Sequence, residues 1–118
     1  MPIVLVLGDS LSAAYGIPAE SGWVSLLQAR LSKTGRASVV NASISGETTA
    51  GGLSRLPALL AEHSPDIVAI ELGANDGLRG LPFAQIRANL DQLVDESPAA
   101  GAAVLLIGIE LPINFGPR

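Results

Sequence analysis

The stretch Ile3-Val4-Leu5-Val6-Leu7-Gly8-Asp9-Ser10-Leu11 runs through five consecutive aliphatic residues and then breaks into a glycine, an acid and a hydroxyl. A short apolar run closed by glycine reads as a strand covered on both faces, as in parallel sheets. Further strands are expected at 37–41, 67–72 and 102–108, the last again nearly all apolar. Helix-period patterns separate them. Trp23, Leu26, Leu27 and Leu31 follow one face of a first helix. Leu53, Leu56 and Leu60 follow a second, with Thr48 or Thr49 as N-cap. Phe83, Ile86, Leu90 and Leu93 follow a third, with Pro82 near its first turn. Pro57 falls inside the second pattern and is expected to kink or delay that helix.

The order is therefore β-α-β-α-β-α-β, which implies a parallel sheet with helices on both faces. In open parallel sheets a ligand sits at the carboxyl ends of the strands. Four polar or glycine-rich segments fall there: Ser10 after the first strand, 43–47 after the second, 73–76 after the third and 110–118 after the fourth.

At 118 residues the chain reads as a single domain, 1–118. The 48% apolar and 3% aromatic content suits a compact core of aliphatic side chains. Net charge is −4 and no basic run occurs, which argues against a nucleic-acid partner. No apolar run reaches the roughly 20 residues that span a bilayer, so no stable membrane insertion is expected. There is no cysteine, which excludes disulfides, thiolate metal sites and a cysteine nucleophile.

Three segments carry candidate chemistry. Ser10, just past a buried strand, reads as an exposed nucleophilic hydroxyl at the start of a helical turn; taken alone it reads better as an N-cap. Gly46, in Ser43-Ile44-Ser45-Gly46-Glu47-Thr48, reads as a backbone oxyanion donor or a turn glycine with positive φ. Asn75, in Gly73-Ala74-Asn75-Asp76, reads as a side-chain oxyanion donor or a turn residue. Their shared edge favours the functional set, with the Ser10 N–H as a third donor. Asp9 and Asp76 read as structural acids that accept backbone N–H bonds, and nothing completes a metal ligand set around them.

A serine needs a general base. His63 is the only histidine. It falls at the end of the second helix, at the opposite edge of the sheet, and a six-residue strand separates the edges by roughly 17–20 Å. A base must lie within about 3 Å of its proton, or one water away. His63 is therefore read as a surface helix-end residue.

The segments Gly8-Asp9-Ser10-Leu11-Ser12, Asn41-Ala42-Ser43-Ile44-Ser45-Gly46 and Glu71-Leu72-Gly73-Ala74-Asn75-Asp76-Gly77 resemble three blocks of the SGNH, or GDSL, serine hydrolases, and in particular their bacterial esterase, thioesterase and lysophospholipase branch. The resemblance covers nearly the whole chain. It implies a three-layer α/β/α fold with a flavodoxin-like parallel sheet, here lacking the last strand and the C-terminal helix. It implies Ser10 as nucleophile, Gly46 and Asn75 as oxyanion donors, and no cofactor or metal. Implied substrates are small acyl esters, acyl thioesters and lysophospholipids, in a soluble enzyme of the bacterial periplasm or a secreted one. The family's Asp-x-x-His block, which supplies the base and its orienting acid, is absent from this chain.

By the same analogy Leu78, Leu111 and Ile113, on loops at the active edge, are expected to contact the acyl chain, and glycines flanking 78–79 to let that loop move. Lacking its last pieces, the sheet is expected to expose apolar surface, met by self-association or by a missing C-terminal segment. The alternatives are an inactive fragment of such an enzyme and, remotely, a receiver-like signalling domain in which Asp9 and Asp76 imitate the acid cluster and Lys33 is the only lysine.

Overall fold

The computed structural model describes residues 2–108. Four strands form one parallel sheet: β1 (Ile3–Gly8), β2 (Ser38–Asn41), β3 (Ile67–Glu71) and β4 (Ala103–Leu106). Their order across the sheet is β2-β1-β3-β4. The helices are α1 (Trp23–Thr34), α2 (Thr49–His63), the short α3 (Ala74–Leu78) and α4 (Phe83–Ala99). Expected and observed strands agree to within two residues at each end, and α1, α2 and α4 each contain their expected face residues; the residues of α3 read as loop in the sequence.

Strand alternation divides the core into two layers. Leu5, Leu7, Val68 and Ile70 point to one face and are covered by Leu56 of α2 and Leu93 of α4. Val4, Val6, Val39 and Ala69 point to the other, against Val24 of α1. The helices thus cover both faces, as the alternation requires. Two residues assigned to helix faces from periodicity lie outside the core: Leu26 is 59% exposed and Phe83 is 77% exposed. Val24, which the periodicity omits, takes the buried place on α1.

Of the kink or delay expected at Pro57, the delay does not occur: α2 begins at Thr49 and runs through Pro57 to His63. The Thr48 hydroxyl caps it by accepting from the Gly51 N–H at 3.2 Å, and packing of Leu56 on the sheet holds the helix past the residue that cannot donate. Among the described residues β4 pairs with β3 and packs against α4, and Leu105 and Leu106 are 56% and 50% exposed. No helix among the described residues is long and apolar enough to cross a membrane.

Candidate active site

The order β2-β1-β3 places the topological switch point between β1 and β3, where chain direction leaves a crevice at the carboxyl edge. Ser10 follows β1 and Asn75 follows β3, so the two flank that crevice. Gly46 lies on the loop leaving β2.

Backbone and side-chain bonds tie the three loops together. Ile44 N–H donates to the Gly8 carbonyl at 3.0 Å. Asn41 Nδ2 donates to the Ser12 carbonyl at 2.8 Å. Asn75 Nδ2 donates to the Glu47 carbonyl at 3.1 Å, beside Gly46. An amide nitrogen carries two N–H groups. One bond to Glu47 fixes the plane of the Asn75 amide and leaves the second N–H for a ligand. Gly46 has φ +83°, a conformation that L side chains rarely adopt, and a Cβ there would meet open space. Glycine is thus required at position 46 by backbone conformation and not by crowding.

Ser10 is half-buried and sits in a single tight turn. The Asp9 carbonyl accepts from Ser12 N at 3.1 Å and from Ala13 N at 2.9 Å, and Ala14 then takes φ 60°. The turn does not propagate into a helix. The Asp9 side chain shapes it: Oδ1 accepts from Leu11 N–H at 3.0 Å, bridging Ser10. Asp76 is equally structural. Its Oδ1 accepts from Thr49 N at 2.9 Å and its Oδ2 from Thr49 Oγ1 at 2.6 Å, tying α3 to the start of α2.

His63 lies at the other edge, as expected. It ends α2, and three residues later Asp66 bonds the start of β1, its N–H to the Ile3 carbonyl at 2.9 Å and its Oδ2 from Ile3 N–H at 2.8 Å. Its Nε2 is 2.8 Å from Glu62 Oε2. Lys33 is in the last turn of α1, which leads into the amino end of β2. It too is remote from Asp9 and Asp76, and the receiver-like arrangement is not formed. Leu78 ends α3 and is 58% exposed. Leu111 and Ile113 lie outside the described residues. An apolar hollow of about 230 Å³ opens beside Leu72, Gly73 and Ala74, toward Leu106 and Ile107; neither Ser10 nor Leu78 lines it.

Sequence reasoning missed the groups beneath the turn. Glu71 ends β3 and is 2% exposed. Its Oε1 accepts from Ser12 Oγ at 2.7 Å, and Ser12 Oγ accepts from Trp23 Nε1 at 3.0 Å. Gly8 makes room: a Cβ there would stand 2.6 Å from Ser12 Oγ and 3.1 Å from Glu71 Oε1. Burial pushes the Glu71 carboxyl up to about 7 from its usual 4.5; the Ser12 hydroxyl and, more weakly, the Asp9 backbone N–H oppose this, and the Asp9 carboxyl adds to it. The available signal was a carboxylate closing an otherwise apolar strand, since such groups are rarely buried without a partner. Arg55 was also missed. It braces the loop after β2 through Glu47 Oε2 at 2.8 Å and the Ala42 carbonyl at 2.7 Å.

The GDSL-like lipase/acylhydrolase family matches residues 6–118. The chain belongs to that family. It is 60% identical over 116 residues to esterase TesA of Pseudomonas aeruginosa, covering 98% of this chain and 58% of that protein. It is 52% identical over 116 residues to thioesterase 1/protease 1/lysophospholipase L1 of Escherichia coli K12, covering 98% of this chain and 54% of that one. Among solved structures, the psychrotrophic esterase EstA from Pseudoalteromonas sp., inhibited by monoethylphosphonate, superposes with a TM-score of 0.92 at 51% identity, covering all of this chain and 65% of EstA. The chain thus spans a little over half the length of the curated relatives it matches.

Proposed function

We propose that this chain carries the nucleophile and oxyanion half of a serine hydrolase acting on carboxylic esters and thioesters. The observation that carries the reading is the convergence of the three loops at the switch point, with Asn75 hydrogen-bonded beside Gly46 and the Ser10 turn bonded to the loop after β2. Ser10 Oγ attacks the acyl carbonyl. The developing oxyanion is met by the N–H of Gly46, the free N–H of Asn75 Nδ2 and the Ser10 N–H. Such donors stabilise charge present only in the transition state, and loss of one typically costs about 2.7–4 kcal/mol of barrier. The acyl group then leaves Ser10 to water. His63 stands at the wrong edge, so the base that takes and returns the proton comes from outside the described residues. The Asp-x-x-His block of the resembled family is the source we assign.

The names of the relatives support small acyl esters and thioesters as the substrate class. The relatives are bacterial, and we propose by the same family resemblance a periplasmic or secreted enzyme, which fractionation of a producing cell tests. Residues 1–118 are read as one domain whose β4 edge is covered either by a C-terminal segment or by another copy of the chain. Leu105 and Leu106 supply the apolar surface. A sharp monomer peak at high concentration in sizing chromatography would count against self-association.

The test of function is hydrolysis of a short-chain p-nitrophenyl ester beside the Ser10→Ala variant, with covalent labelling by a fluorophosphonate as a second readout. Activity and labelling that vanish in Ser10→Ala support the reading. Labelling at a residue other than Ser10 overturns it. Near-zero rates in both proteins, with Ser10 labelled slowly by the phosphonate, identify a scaffold lacking its base.

A further inference from the structure

We propose that Asp9 and Glu71 share a single proton beneath the nucleophile turn, and that this carboxyl–carboxylate pair positions Ser10. The inference rests on the reading of Ser10 as the nucleophile for its functional meaning, but not for its geometry. Glu71 pairs in register with Gly8 across β3 and β1, and Asp9 follows Gly8. Both carboxyls are buried, 1% and 2% exposed. Each has one oxygen engaged: Asp9 Oδ1 by Leu11 N–H and Glu71 Oε1 by Ser12 Oγ. The remaining two, Asp9 Oδ2 and Glu71 Oε2, are buried and take no N–H or O–H from any other group among the described residues.

Two buried carboxylate oxygens without donors are costly apart and repel when both are ionised. One proton removes both difficulties. The Glu71 acid then donates through Oε2 to the Asp9 carboxylate. The polarity of the surrounding bonds fits that assignment. Trp23 N–H donates to Ser12 Oγ, Ser12 O–H to Glu71 Oε1, Glu71 O–H to Asp9 Oδ2, and Leu11 N–H to Asp9 Oδ1. The chain of donors ends on one anion, and that anion closes the turn around Ser10. Among the described residues the charged group acting on Glu71 is Asp9. The neighbours that reach Ser12 from α1 and β2, Trp23 and Asn41, are neutral. The raised Glu71 carboxyl described above agrees with the pairing. Loss of the shared proton puts two charges face to face under Ser10, and the turn must open to relieve them.

Carboxyl carbon NMR of the full chain tests this without any hydrolysis assay, so its failure is separable from failure of the esterase reading. The expected result is a Glu71 carboxyl that titrates near neutrality, with the Ser10 and Leu11 amide resonances moving at the same midpoint. In Asp9→Asn the new amide donates to Glu71, and the Glu71 midpoint falls by about one pH unit or more. In Glu71→Gln the amide replaces the acid as donor, and the Ser10 and Leu11 resonances become flat through that range. The double variant sets two N–H donors against each other and melts lower than the sum of the single effects. A Glu71 midpoint unmoved by Asp9→Asn, or Ser10 and Leu11 resonances that titrate unchanged in Glu71→Gln, overturns the proposal. A double variant that is simply additive overturns it as well.

Discussion

Replacing Asp76 tests whether the acid beside Asn75 is structural. Asp76 and Thr49 are both fully buried. The carboxylate accepts from the Thr49 N–H, one of the donors at the start of α2 that has no partner within the helix, and from the Thr49 hydroxyl. Asn89 Nδ2 donates to that same hydroxyl at 3.1 Å. In Asp76→Ala two hydrogen bonds to a charged group are lost, each worth about 1.5–3 kcal/mol. The relief of no longer burying the carboxylate offsets part of this, leaving a loss of roughly 3–5 kcal/mol against a total stability of about 5–15 kcal/mol. Asp76→Asn keeps an acceptor for the Thr49 N–H. It presents an N–H to a hydroxyl oxygen already accepting from Asn89, so the hydroxyl proton loses its acceptor, and the cost is about 1–2 kcal/mol. Urea denaturation of the three proteins reads these values directly. Adding Asp76→Ala to Thr49→Val should cost clearly less than adding it to the parent chain, because one of the two partners is already gone. An Asp76→Ala loss below about 1 kcal/mol, or an Asp76→Asn variant weaker than Asp76→Ala, refutes the hydrogen-bond reasoning.

Glu71 holds a proton in the folded state up to about pH 7 that the unfolded chain releases near 4.5. Its contribution is therefore fully present below pH 4.5 and is lost as pH rises through 7, by roughly 3 kcal/mol at 1.36 kcal/mol per pH unit. The difference between the parent chain and Glu71→Gln, followed by urea denaturation from pH 4 to 8, isolates this slope; a flat difference contradicts it. Leu56, with no exposed surface at the centre of the α2 layer, should cost about 2–5 kcal/mol on truncation to alanine in the same assay. Gly46→Ala meets no steric obstacle but must hold φ +83°, so it should fold with a loss of about 1–2 kcal/mol. Asn75→Ala should slow ester hydrolysis by roughly 10²–10³-fold in whatever form of the protein shows Ser10-dependent activity.

Most of the fold was legible because the strands and helices obey different periods. Ile3 to Leu7 has no polar interruption, and Leu53, Leu56 and Leu60 recur at the helical spacing. The errors fall where local pattern and tertiary position part company: periodicity puts Leu26 and Phe83 on core-facing helix positions, yet both are exposed. Pro57 is locally a helix breaker, but one missing N–H does not outweigh the packing of Leu56 against the sheet.

The candidate site was legible in its upper layer and hidden in its lower one. Ser10 and Gly46 sit on loops and Asn75 lies at the start of the short α3, places just past a strand where a polar residue or a glycine is conspicuous. Ser12, Trp23, Asn41 and Glu71 act at a distance in sequence: the Ser12–Glu71 bond joins residues 59 apart. Nothing local shows that they meet. Gly8 is the clue in retrospect. Its requirement does not come from the turn that follows it. A Cβ at position 8 would enter the space where Ser12 and Glu71 bond, so the glycine before the acid and the serine is there to let a buried carboxyl reach under the turn. The glycine, the aspartate and the second serine of Gly8-Asp9-Ser10-Leu11-Ser12 thus belong to one buried arrangement beneath Ser10, whose own side chain makes no hydrogen bond to another described residue.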